Sequence, residues 1–149
     1  QDSYENLHRL GHAHSIECWH ENADGARSLA GGLYGVGFDR VFCGESMFSR
    51  ATDASKVALA WLVMAMRRAR MELLDCQFLT GHLGSLGAVE IAQDRYLELL
   101  QNAQARSYSS ADSPLALPDG FAALLAEAEG AGLGSSPGYF IAQAFTQTS

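Results

Sequence analysis

Residues 40–76 read RVFCGESMFSRATDASKVALAWLVMAMRRARMELLDC, and the change of hydrophobic period inside this stretch decides the fold. Arg40 to Glu45 is a run of strand length. Thr52 or Asp53 can cap a helix. After them Val57, Ala60, Trp61 and Met64 fall at i, i+3, i+4 and i+7, the spacing of a core-facing stripe. Arg67, Arg68 and Arg70 follow, where the helix dipole favours cations. Met71 to Cys76 is again an apolar run of strand length. Strand, helix and strand in this order predict a parallel pair joined by a right-handed crossover. Glu45 and Asp75 are then expected near the C-terminal ends of neighbouring strands, where α/β crossovers place ligands.

Upstream, Tyr4, Leu7 and Leu10 mark a short amphipathic helix closed by Gly11. His14 to Trp19 alternates as a strand. Asp24-Gly25 is a hairpin signal, and Ser28 to Val36 is the returning strand, with Gly31-Gly32 predicting a bulge or a close backbone approach. Gly37-Phe38-Asp39 turns the chain into the strand at Arg40. Downstream, a short helix is expected within Gly81 to Ala88. A longer one is expected at Gln93 to Ala105, with Tyr96, Leu97 and Leu100 inward. A linker over 107–118, a helix at Phe121 to Glu129 and a docking strand at Tyr139-Phe140-Ile141 complete the expected order. The predicted class is α+β: a mixed, mostly antiparallel sheet with flanking helices.

The chain has 149 residues, 48% hydrophobic and 18% charged, enough for one domain with a real core. No apolar stretch approaches the roughly 18 residues that a membrane helix needs, and no membrane partner is expected. The start, Gln1-Asp2-Ser3-Tyr4, is polar and has no initiator Met, which predicts a true start further upstream. Cys18, Cys43 and Cys76 form no paired array and read as packing thiols of a reducing compartment. His8 and His12 are one helical turn apart, with His14 and His20 nearby, which invites a metal reading; surface histidines are common, however, and no metal site is expected. Trp19, Trp61, Met64 and Met66 read as core. The net charge of −7 is the wrong sign for a phosphate-binding surface. A nucleic-acid partner would have to use the local cluster Arg50, Lys56, Arg67, Arg68 and Arg70, which otherwise reads as helix-end capping.

Asp75 and Gln77 are two apart in an expected strand, so both would face one side of the sheet. Met71 to Leu74 is apolar and the strand then turns polar, so these residues mark the edge of the core. Spacing alone leaves two readings open: a capped strand end, or a carboxylate and an amide that orient a reacting group.

The motifs narrow this. Gly31-Gly32-Leu33-Tyr34-Gly35-Val36, Val41 through Arg50 (VFCGESMFSR), Ala54-Ser55-Lys56, Leu74-Asp75-Cys76-Gln77 and Ser85-Leu86-Gly87-Ala88 follow one another as in leucyl/phenylalanyl-tRNA–protein transferases. Leu7 to Ser15 resembles the lead-in of the same family, and the likeness runs from about residue 4 to about residue 100. The resemblance implies an N-acetyltransferase-like (GNAT-like) fold over residues 1–106, with 107–149 as a C-terminal extension and the family's N-terminal domain absent. It implies a cytoplasmic, monomeric enzyme of the N-degron route that moves Leu or Phe from its aminoacyl-tRNA to the α-amine of proteins beginning with Arg or Lys. Residues matching Asp75 and Gln77 are those assigned to catalysis, and the one matching Glu45 helps hold the amine. Those matching Leu33, Phe42 and Met47 wall an apolar pocket for the transferred side chain, with Tyr4 and Ser46 beside it.

An aminoacyl ester is already activated, so the reaction calls for no cofactor. Gln77 is too weak a base to hold a full proton, so its carbonyl oxygen is expected to orient the amine while Asp75 fixes or polarises it. Two alternatives come with the resemblance. One is a truncated module that binds aminoacyl-tRNA and catalyses little. The other is a CoA-dependent GNAT acyltransferase, which the glycine-free turn Ser49 to Lys56, with Asp53 where phosphate would sit, disfavours.

Overall fold

The computed structural model describes residues 2–107 and 114–132. Helix α1 (Asp2–Arg9) leads into three strands, β1 (Ala13–Glu21), β2 (Arg27–Phe38) and β3 (Val41–Ser49). Helix α2 (Ala54–Arg68) then crosses to β4 (Leu73–Asp75), and α3 (Gly81–Ser85), α4 (Gln93–Ser107) and α5 (Leu117–Gly130) follow. The strands form one sheet in the order β1-β2-β3-β4, antiparallel except for the parallel pair β3–β4. This is the α+β, mixed and mostly antiparallel architecture expected from the sequence.

The hairpin turns where Asp24-Gly25 predicted. Gly25 takes φ +79, and the Asp24 side chain accepts from the Ala26 N–H at 3.0 Å. The irregularity between β1 and β2 falls beside Gly31, where the register passes from Cys18↔Gly31 to Trp19↔Leu29. Gly31 also supplies a close approach, since a Cβ there would meet Ala54 Cβ at 2.7 Å.

Helix α2 is buried more widely than its single predicted stripe. Trp61 and Met64 are buried as expected and Val57 and Ala60 only half-buried, while Ala58, Leu59, Leu62, Ala65 and Met66 are buried too. The cause is packing on two sides. One flank of α2 covers the sheet, and the other receives α5, whose Phe121 ring lies 5.5 Å from Trp61 and whose Leu124 is fully enclosed. Arg68 adds a two-pronged pair to Glu127, both bonds 2.6 Å. The helix expected at Phe121 thus begins earlier, at Leu117, with Pro118 in its first turn where its missing N–H is harmless. The expected docking strand, Tyr139 to Ile141, lies outside the described residues.

Three expectations need correction. Strand β4 spans only Leu73–Asp75, because Met71 and Glu72 are used to leave α2. There the Glu72 and Leu73 N–H groups both bond the Arg40 carbonyl, and the nearly inaccessible Arg40 guanidinium donates to the Arg70 carbonyl at 3.1 Å and to Glu72 at 3.2 Å. Trp19 is not core: it is exposed, with its indole N–H donating to Glu17 at 3.0 Å. Leu97 is exposed on α4 rather than inward.

Candidate functional site

Strands β3 and β4 pair only through Val41↔Leu73, Phe42↔Leu74 and Cys43↔Asp75. Beyond Cys43, β3 continues for six residues to Ser49 while the β4 chain turns away, so the sheet opens at Asp75. The departure is sharp. The Phe78 N–H bonds the Cys76 carbonyl at 2.7 Å around Gln77, whose φ is +61, which defines a γ-turn. A left-handed residue other than glycine is held only where its surroundings enforce it. Here Asp75 does so, its Oδ1 accepting from the Gln77 N–H at 2.7 Å. Asp75 and Gln77 are therefore neighbours as the sequence predicted, but through a turn. The shared strand face expected for them is a correction.

The second carboxylate oxygen, Asp75 Oδ2, accepts from the Tyr96 hydroxyl at 2.8 Å. That bond, with some burial, pushes the Tyr96 phenol up to about 12, so it remains a donor at neutral pH. Helical spacing alone places Tyr96 in the apolar stripe of α4. The available signal was its residue type, since a half-buried Tyr brings a hydroxyl that needs a partner.

Glu45 is the residue displaced by the register shift between Tyr34↔Ser46 and Gly35↔Gly44. A bulge re-aims side chains, and Glu45 meets Tyr4 of α1. Hydrogen bonding to the Glu45 carboxylate is the main cause that pushes the Tyr4 phenol above its usual range. Tyr4 also stands edge-on to Tyr34, with ring centres 5.7 Å apart. Cys43 lies between the two acidic residues: burial raises its thiol first, and Asp75 and Glu45 add to it. Cys76 is raised in the same way by burial and Asp75. Both thiols are therefore poor nucleophiles, consistent with their reading as packing.

Asp75 and Gln77 border a cleft of about 930 Å³ whose walls include Leu74, Leu79, Leu83, Leu86 and Tyr96. The residues matched to an apolar pocket stand elsewhere. Phe42 is fully buried and Leu33 is 6% exposed, both within the core that Met47 packs against, and Ser46 is exposed opposite Tyr34.

The basic residues do not form one patch. Arg50 and Lys56 lie at the start of α2, Arg50 over the Phe48 ring and Lys56 paired with Asp53 at 2.7 Å. Arg67, Arg68 and Arg70 lie at its other end. Lys56 and Arg67 are eleven positions apart on the helix, about 16 Å at 1.5 Å per residue. Arg68 is committed to Glu127. Among the described residues no group of three or more His, Cys, Asp or Glu could hold a metal ion, and no helix is long and apolar enough to cross a membrane.

Residues 1–101, which carry Tyr4, Glu45, Asp75, Gln77 and Tyr96, match the family described as leucyl/phenylalanyl-tRNA protein transferase. The chain belongs to that family. A protein of this name from Novosphingobium aromaticivorans is 55% identical over 176 aligned residues, covering 100% of this chain and 64% of its own length. A transferase of the same name from Rhizorhabdus wittichii is 59% identical over 98 residues, which is 66% of this chain and 38% of the relative. A third, from Zymomonas mobilis, is 55% identical over 101 residues, or 68% and 36%. The chain thus spans between 36% and 64% of the length of these transferases.

Proposed function

We propose that this chain carries the aminoacyl-transfer site of a leucyl/phenylalanyl-tRNA–protein transferase. In this reading it moves Leu or Phe from aminoacyl-tRNA to the α-amine of proteins that begin with Arg or Lys, as a cytoplasmic monomer of the N-degron route. Residues 1–106 form a GNAT-like transfer domain and 107–149 its C-terminal extension. The observation that carries the reading is Asp75, bound on both oxygens by Tyr96 and the Gln77 N–H where the sheet opens onto an apolar cleft, in a chain of this family.

The reaction forms one N–C bond and breaks one C–O bond. The neutral α-amine attacks the ester carbonyl carbon, the bond to the ribose oxygen breaks, and the proton lost from nitrogen ends on that oxygen. An α-amine has a pKa of about 7.7–8.0, so part of it is already neutral at physiological pH. What the protein must supply is orientation. The Gln77 carbonyl oxygen accepts from the amine and aims its lone pair. Asp75 keeps the Gln77 turn in place and offers negative charge to the nitrogen as positive charge develops on it. Glu45, on the bulge of β3, supplies a second carboxylate for a cationic first residue. Leu74, Leu79 and Leu83 give apolar surface beside these groups, and such surface separates side chains by only about 1–3 kcal/mol per methylene. Arg50, Lys56, Arg67, Arg68 and Arg70 are the candidates for phosphate contact. Their separation along α2 suits a tRNA strand that follows the helix better than a single anchored phosphate.

Single-turnover transfer at saturating aminoacyl-tRNA tests the roles. Asp75→Ala and Gln77→Ala are each expected to slow transfer by about 100-fold. Wild-type rates in both would remove these residues from the mechanism.

A further inference from the structure

The phenol of Tyr96 reaches Asp75 from α4, an element separate from the strand and turn that carry Asp75 and Gln77. Asp75 is therefore held from two directions. Its Oδ1 accepts from the Gln77 N–H and its Oδ2 from Tyr96, at 2.7 and 2.8 Å. Either bond alone leaves the carboxylate free to turn about its terminal torsion, which is broad and two-fold. Together they fix its plane. That plane sets where the Gln77 N–H can sit, and hence the left-handed backbone of Gln77, which its side chain would not choose unaided.

We infer that Tyr96 is a positioning residue that acts through Asp75 to lock the Gln77 turn, and so the direction in which the Gln77 side chain is presented to the substrate. The mechanical half depends on geometry alone; the substrate half rests on the transferase reading above. A tyrosine present only for packing would contribute through its ring, and Phe would replace it without loss. The phenol's hydrogen-bond partner is the Asp75 carboxylate, 2.8 Å away on the oxygen opposite the Gln77 N–H. Its function is therefore to donate a fixed hydrogen bond and not to transfer a proton.

The experiment uses the full chain and Tyr96→Phe, which keeps the ring. Amide hydrogen exchange read by NMR is expected to speed up about tenfold or more at Gln77 and Phe78, while amides within α2 keep their wild-type rates. In transfer assays the same variant is expected to lose about 10- to 100-fold in kcat with KM for aminoacyl-tRNA unchanged. It should add nothing further in an Asp75→Ala background, because both changes break the same link. Unchanged exchange at Gln77 together with unchanged kcat overturns the positioning role and leaves the transferase reading standing. Faster exchange at Gln77 in a chain whose wild type transfers nothing leaves the positioning role standing and removes the transferase reading. A KM effect alone, with additive loss in the double variant, overturns action through Asp75.

Discussion

Gly35 links the stability of the sheet to the placement of Glu45. A methyl group added there would collide with the Cys43 carbonyl oxygen and lie 2.6 Å from Phe42 Cε1. Neither neighbour can yield easily. The carbonyl belongs to the β3 backbone at the pair Cys43↔Asp75, and Phe42 is fully buried in the core. Gly35→Ala therefore forces β2 and β3 apart beside the register shift that displaces Glu45. Overpacking of a core costs about 1–3 kcal/mol, and a clash with backbone belongs at the upper end. For a chain of this size about 3 kcal/mol lowers Tm by roughly 10 °C. Thermal unfolding followed by circular dichroism measures it, with Gly130→Ala as the control, since a Cβ at Gly130 meets nothing within 4 Å. The same shift should weaken the Tyr4–Glu45 bond, so the Tyr4 phenol should fall back toward its ordinary value in a spectroscopic titration. A melting point within about 2 °C of wild type would refute the close-approach argument.

Three further outcomes follow from the packing and the titrating groups. Leu124→Ala, at a fully enclosed position between α5 and α2, should destabilise by about 2–5 kcal/mol in urea unfolding at equal m-value. Glu127→Gln should remove a partly exposed pair worth less than about 1 kcal/mol. Arg68 lowers the Glu127 carboxyl in the folded state, so that stability is present above the unfolded value and is lost as pH falls through the folded one. Wild type and variant should accordingly differ at pH 7 and converge once the pH has fallen below the folded-state value. Burial raises the thiols of Cys18, Cys43 and Cys76, so alkylation at pH 7 should be slower than for free cysteine and should reach the free rate in urea; fast labelling in the folded chain would contradict their placement.

The features legible in the sequence are those written in local spacing. Asp24-Gly25 states its turn, the stripe containing Trp61 and Met64 states its helix, and the strand–helix–strand order around α2 states the parallel pair. Packing that depends on a distant partner was not legible. The close seat of Gly120 on the Ala65 carbonyl and Ala69 needs α5, more than fifty residues later in the chain. Trp19 reads as core by hydrophobicity, yet it is exposed on β1, and Glu17 satisfies its indole instead. At the site, the family motifs marked Glu45, Asp75 and Gln77 as candidates where spacing alone left two readings open, but the γ-turn did not follow from them. It is made by a side chain bonding backbone two residues on, which replaces strand alternation at the point where alternation was assumed. Tyr96 shows the same limit, since helical spacing places it in an apolar stripe and only the fold brings Asp75 to its hydroxyl.

The central claim is aminoacyl transfer at Asp75 and Gln77, and transfer itself is the direct measurement. Radiolabelled Leu or Phe on its tRNA is mixed with the chain and a peptide bearing an N-terminal Arg. The account predicts label on the peptide that requires a free α-amine, and its loss with Asp75→Ala. Transfer at the wild-type rate by Asp75→Ala, or onto a peptide with an acetylated N-terminus, would contradict it.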